Sequence, residues 1–154
     1  MSRISVQEIE FDSCLNQKHV EWLITTLPAT YAALNAKARW RNGKWPTRVR
    51  CMDRKRIIEG RERGAGHGYT YTQGRDSKSI WLNPHMTQWG YWLVFTHENL
   101  HHAYPDATEQ ELNCEHLPDV FERVFDRPWP GHDWAREHGV GSPVEGVGDR
   151  SYCR

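Results

Sequence analysis

C-x-x-C pairs, net charge and long apolar runs are what this chain lacks. Its four cysteines, Cys14, Cys51, Cys114 and Cys153, stand far apart and form no C-x-x-C pair. That spacing argues against a zinc knuckle or a thioredoxin-type redox pair and points to reduced thiols in a cytoplasmic setting. Lys plus Arg number 20 and Asp plus Glu number 20, so a wholly basic or wholly acidic protein is excluded. No apolar run approaches the roughly 18–20 residues of a membrane-spanning helix. The opening Met1-Ser-Arg-Ile-Ser-Val-Gln-Glu lacks an apolar leader core. Hydrophobic residues are scarce at 38%, but eight Trp supply large buried areas, and 154 residues suffice for one domain with a real core.

The zero net charge hides two opposed segments. Lys37–Arg63 holds eleven Lys or Arg against Asp53, Glu59 and Glu62. Residues 98–126 hold eight acids against the single Arg123. The basic stretch also carries Trp40 and Trp45, a mixture that suits phosphate contact and base stacking, so nucleic acid is one expected partner. A solvated surface, or a partner for the chain's own acidic half, is the plainer reading of the same residues.

Along the chain, Ser13 or Asn16 is placed to cap a first helix whose apolar face is Val20, Leu23, Ile24 and Leu27. Pro28 is expected to interrupt it before a second stretch over residues 29–38. Strands are expected over 47–52, with Val49 and Cys51 on one face and Arg48 and Arg50 on the other, and more weakly over 56–59. Residues 60–68 read as a Gly-rich loop, and 69–72 with 79–82 as a β-hairpin around Gly74-Arg75-Asp76. Residues 87–104 read as a helix apolar nearly all round, hence buried and central. Asp106 or Thr108 can cap a helix over 107–125, which Pro128 and Pro130 stop. A short helical turn covers 132–138. The expected organisation is one domain over residues 1–138 and a flexible or surface-wrapped tail over 139–154.

Inside the buried helix stands His97-Glu98-Asn99-Leu100-His101, an H-E-x-x-H motif. His97 and His101 are i and i+4, so both imidazoles leave one face and can grip one ion, for which Zn²⁺ is suited. Glu98 sits beside the first donor and can take a proton from a zinc-bound water as that water attacks a carbonyl. A third donor is needed. Glu111 and Glu115 share a helix face that folds back towards His101, and His132 in Gly131-His132-Asp133-Trp134 is either a third donor or a catalytic partner for the oxyanion. Glu109 reads as a helix-start charge complementing the dipole. His102 points off the donor face, and His67 and His85 carry no assigned role.

These residues resemble a minimal zincin metallopeptidase. Glu111-Leu-Asn-Cys-Glu-His-Leu-Pro is similar to the run that follows H-E-x-x-H in ImmA/IrrE-type gluzincins, and that resemblance implies Glu111 as the third zinc ligand. Gly131-His132-Asp133-Trp134 is similar to an element of the SprT-like (spartan) proteases, which implies His132 instead and action on DNA-associated proteins. Either resemblance implies an α+β, zincin-like fold. Its parts are an N-terminal helix, a small mixed or antiparallel sheet with an edge strand, a buried H-E-x-x-H helix and a C-terminal helix. It also implies one zinc per chain and an extended peptide or protein substrate lying along the strand Ser79–Asn83. A zinc-stabilised structural or binding protein of low turnover, phage-encoded and with a basic nucleic-acid-contacting face, is the alternative. Compact size suggests the cytoplasm of a bacterium or of a phage-infected host cell.

Overall fold

A computed structural model describes residues 8–37, 45–63, 66–139 and 153. The architecture is α+β, with a four-stranded mixed sheet among the described residues. In chain order it runs β1 (Glu10–Phe11), α1 (Gln17–Lys37), β2 (Arg48–Cys51), α2 (Arg54–Arg63), β3 (Gly68–Thr70), β4 (Ser79–Leu82), α3 (Gln88–Ala103), α4 (Glu109–Glu111), a π-helical turn (Leu112–His116), α5 (Leu117–Phe125) and α6 (His132–Glu137). Segment 38–44 of the basic stretch and nearly all of the expected tail lie outside the described residues.

Asn16 caps α1, its Oδ1 accepting from the His19 amide at 3.1 Å. Val20, Leu23, Leu27, Tyr31 and Leu34 are buried at helical spacing. The expected break at Pro28 is absent, and α1 is one helix of 21 residues through it. The carbonyl that Pro28 leaves without a donor is that of Ile24, an exposed position where water can replace the lost bond. Packing of α1 against α3 and α5 outweighs the remainder of the proline penalty.

The sheet order is β1-β2-β4-β3, with β1, β2 and β4 mutually parallel and β3 antiparallel to β4. Val49, Ile80 and Leu82 are buried, while Arg48 is exposed and Arg50 and Trp81 are half-buried on the opposite face, as the alternation in the sequence requires. The hairpin expected over 69–82 is present as β3 and β4. Residues 56–59 are instead part of helix α2. Asp53 caps it, its Oδ1 accepting from the Arg56 amide at 2.7 Å, and the short Ile57-Ile58 pair is too brief to specify a strand.

Helix α3 is the centre of the molecule. Every residue of it except Gln88, Trp89 and His101 is buried. Thr87 caps its start. The buried Trp92 indole donates to Thr30 Oγ1 at 3.0 Å, which in turn donates to Thr26 O at 2.8 Å, so α3 is registered on α1 without an unsatisfied indole.

The segment expected as one helix over 107–125 contains a π-helical turn. Leu112 and Leu117 are both fully buried although five residues apart. On a straight α-helix that spacing would separate them by about 140°. The wider π turn brings them to roughly one side, so burial of both leucines selects the irregularity.

All four cysteines are paired, Cys14 with Cys51 and Cys114 with Cys153. This corrects the reduced-thiol expectation. Separation in sequence said nothing about proximity in space: β1 lies beside β2, which brings Cys14 to Cys51, and Cys153 returns to the π-helical turn. It also removes the ground that reduced thiols gave for a cytoplasmic chain. No helix among the described residues is long and apolar enough to cross a membrane. Non-reducing peptide mapping should recover both bridges. Replacing Cys14 and Cys51 by Ser opens a loop 37 residues long in separation, for which chain entropy gives a loss of roughly 3–4 kcal/mol in unfolding free energy, read by urea titration.

Candidate metal centre

His97 and His101 leave the same face of α3, one turn apart, with their Nε2 atoms 3.2 Å apart. Across from them stands Glu109, the first residue of α4. Its Oε1 lies 2.7 Å from His101 Nε2 and its Oε2 3.1 Å from His97 Nε2. Glu98 Oε1 is 3.8 Å from His101 Nε2. Ligand atoms of His97, Glu98 and His101 all fall within 4.8 Å of one another.

Glu109 arrives there because of how α4 starts. Thr108 and Glu111 form a capping box: Thr108 Oγ1 accepts from the Glu111 amide at 3.1 Å, and Glu111 Oε1 accepts from the Thr108 amide at 3.2 Å. Glu111 is thereby spent on the helix start and is not brought to the histidine pair. The carboxylate that meets the histidine pair is that of Glu109, two residues earlier. The signal was in the sequence as Thr108-x-x-Glu111, a capping-box spacing that assigns Glu111 to the cap and leaves Glu109 free to turn inward. Glu115 is exposed. His116 stacks on Tyr104 with ring centres 3.9 Å apart. His132 lines a separate hollow with Cys114, Pro118, Trp129 and Cys153, away from the pair.

A second residue the sequence reading passed over is Asn113, four after Glu109 and on the same side. It is buried in the π-helical turn and sits beside His97, where it favours the protonated ring. Gly68 of β3 is a third. A Cβ there would clash with Val94 Cγ1 and lie 3.6 Å from Glu98 Oε2, so only glycine lets β3 pass this close to the Glu98 carboxylate. His102 secures the same strand: its Nε2 is 2.8 Å from Thr70 Oγ1, which donates to Ser79 O at 2.8 Å. With that hydroxyl proton committed, His102 is the donor.

Strand β4 does not offer the expected docking edge. It is paired on both sides, with β2 and with β3, so the main chain of Ser79–Leu82 is occupied. The free edge beside the histidines belongs to β3, with which only β4 pairs among the described residues. The basic stretch is also less open than its composition suggests. Trp45 packs on the core, and Arg48 and Arg50 both approach Asp12, at 3.1 and 3.9 Å.

Burial pushes the Glu98 carboxyl above its ordinary range, opposed by the His97 and His101 rings and assisted by Glu109. For His97, burial alone would lower the pKa, but the hydrogen bond to Glu109 and the charges of Glu98 and Glu109 outweigh it, and the ring is raised. Glu109 is driven well below the carboxylate range: desolvation opposes the shift, and the hydrogen bonds from His101 and His97 overcome it.

The arrangement fits a divalent cation. If both Nε2 atoms carry protons to Glu109, they meet each other donor to donor at 3.2 Å. A cation held by both nitrogens replaces those protons and converts the approach into converging lone pairs. Two nitrogen donors about 2.0–2.1 Å from a tetrahedral zinc stand about 3.3 Å apart, close to the observed separation. Two imidazoles and one carboxylate are a donor set zinc accepts.

Comparison with protein-family models, curated proteins and solved structures found no match.

The protonation pattern yields a test. In metal-free protein the raised His97 pKa contributes stability in full below 6.5, its ordinary value, and loses it as pH rises through the folded value. Glu98, also raised, acts in the same direction, its share being complete below 4.5 and fading as pH rises. Glu109, lowered, contributes above 4.5 and is lost only at much lower pH. The melting temperature of chelator-treated protein should therefore fall as pH is raised above 6.5, and Glu109→Gln should flatten that fall. Added zinc should stabilise more as pH rises, since binding displaces protons. An unchanged slope in Glu109→Gln would detach His97 from Glu109.

Proposed function

We propose that this chain is a zinc-dependent metallopeptidase of zincin type in which His97, His101 and Glu109 hold the ion and Glu98 is the general base. The observation that carries the reading is the convergence of two imidazole nitrogens and both Glu109 oxygens, with the Glu98 carboxylate 3.8 Å from His101 Nε2. Bound there, the ion would supply acidification of a water and polarisation of the scissile carbonyl.

The chain's own residues do the rest. Glu98, with its raised pKa, accepts the proton of the attacking water and delivers it to the leaving amine; a base closer to neutrality returns protons more readily than an ordinary carboxylate. Strand β3 provides the binding edge. Asn83 N donates to His67 O at 2.9 Å, which makes that pair hydrogen-bonded across the hairpin. Alternation then turns the polar groups of Tyr69 towards β4 and those of Gly68 and Thr70 outward. An extended peptide can pair with Gly68 and Thr70 directly beside Glu98, by β-strand addition that places few demands on its sequence.

Metal analysis of purified protein should find about one zinc per chain. Glu98→Gln should retain that zinc while peptide hydrolysis of casein falls by roughly 10²–10⁴-fold. Glu109→Ala should weaken zinc binding in a chelator competition. Glu111→Ala should keep the zinc and cost about 0.5–2 kcal/mol of stability through its cap. Equal hydrolysis by wild type and Glu98→Gln would overturn the assignment of the base, and zinc retained in Glu109→Ala but lost in Glu111→Ala would overturn the assignment of the donor.

A further inference from the structure

The outer face of the sheet carries a row of side chains that ends at the proposed substrate edge. Register places Arg50 of β2, Trp81 of β4 and Tyr69 of β3 side by side. The Tyr69 and Trp81 rings stack with centres 4.9 Å apart and planes 6° from parallel. The Arg50 guanidinium covers Trp81 at 5.7 Å, and the Arg56 guanidinium covers Tyr69 at 4.5 Å. Trp81 and Arg56 thus both contact the Tyr69 ring, which Tyr71 also meets edge-on at 5.7 Å. The contacts run Arg50, Trp81, Tyr69, Arg56, at 5.7, 4.9 and 4.5 Å. Arg56 comes from α2 and not from a strand, so it brings a cation to the Tyr69 ring without pairing with β3.

That position has a consequence for a peptide paired with β3. Its residues opposite Gly68 and Thr70 point towards α3 and the histidine pair. Its residue opposite Tyr69 points to the outer face and meets Arg56. Among the described residues no carboxylate pairs with Arg56, whereas Arg48 and Arg50 share Asp12. A guanidinium held against a ring beside that position favours a carboxylate and repels a cation.

We propose that Arg56 is a specificity-determining residue that selects Glu or Asp at the substrate position paired with Tyr69. The proposal rests on the peptidase reading for the identity of the bound peptide as substrate. Its test is a binding measurement, independent of turnover. Zinc-loaded Glu98→Gln protein is titrated into fluorescein-labelled octapeptides of Ala, Val and Thr that carry one Glu, one Lys or neither at each position in turn, and anisotropy is recorded. One position should prefer Glu over Ala by about tenfold and disfavour Lys. Arg56→Glu in the same background should reverse the preference to Lys at that position, and Arg56→Lys should keep a weaker preference for Glu. Circular dichroism confirms that each variant is folded. A charge preference unchanged in Arg56→Glu, a preference spread over all positions, or no binding by any peptide would overturn the proposal. Peptides that bind with this pattern but are left intact by wild-type enzyme would instead count against the peptidase reading alone.

Discussion

Two imidazoles and a carboxylate on the innermost helix must be compensated, and that requirement organises the molecule. His97 and Glu98 are buried on α3 among Trp92, Val94, Phe95 and Leu100. Polar groups so placed cost several kcal/mol unless partners meet them. The partner is Glu109, whose carboxylate spans both Nε2 atoms. The pairing is reciprocal: it raises His97 and lowers Glu109, while Glu98, one residue along, is left in a dry setting that keeps its proton longer than usual. One helix turn thus holds a carboxylate that keeps its proton longer beside a nitrogen pair that shares a second carboxylate.

Everything around α3 is arranged so that two other segments reach this spot. From one side comes β3, lowered onto the helix at Gly68 and fastened by the bond between Thr70 and His102. From the other comes Thr108–His116, whose capping box fixes the direction of Glu109 and whose π-helical turn allows Asn113 to face His97 while Leu112 and Leu117 both enter the core. A straight helix would satisfy the leucines or the polar pair less well. The wider turn is the compromise, and such turns recur where helices carry function.

The sequence revealed the parts whose signal is local. The apolar run 91–95 marked α3 as central, the alternation of Val49 and Cys51 with Arg48 and Arg50 marked a strand, and the i, i+4 spacing of His97 and His101 marked two imidazoles that meet on one face. It was silent or misleading where the deciding partner is distant. Pro28 reads as a break until α3 and α5 are known to hold α1 together. Ser79–Leu82 reads as an edge until β2 is seen to pair with it from a segment thirty residues upstream. Glu109 and Glu111 are chemically alike, and only the reciprocal bonds with Thr108 separate them. The cysteines, spaced without pattern, are joined because parallel β1 and β2 bring two of them together and the returning chain brings Cys153 to Cys114.

The donors differ in how firmly each is held, and this bears on how the centre opens. His97 and Glu98 are fixed by the packing of α3, and their rings and oxygens have little room to move. Glu109 belongs to the first turn of α4, and its side chain is 56% exposed. Entry to the histidine pair is therefore past Glu109, the member that can swing aside at least cost. The chain beyond it is restrained: Cys114, five residues on, is tied to Cys153, and Leu112 and Leu117 anchor the turn. Movement of Glu109 is then confined to its own side chain and the cap at Thr108, so that in the proposed centre Glu98 and the nitrogen pair are held rigidly while Glu109 is the carboxylate free to adjust.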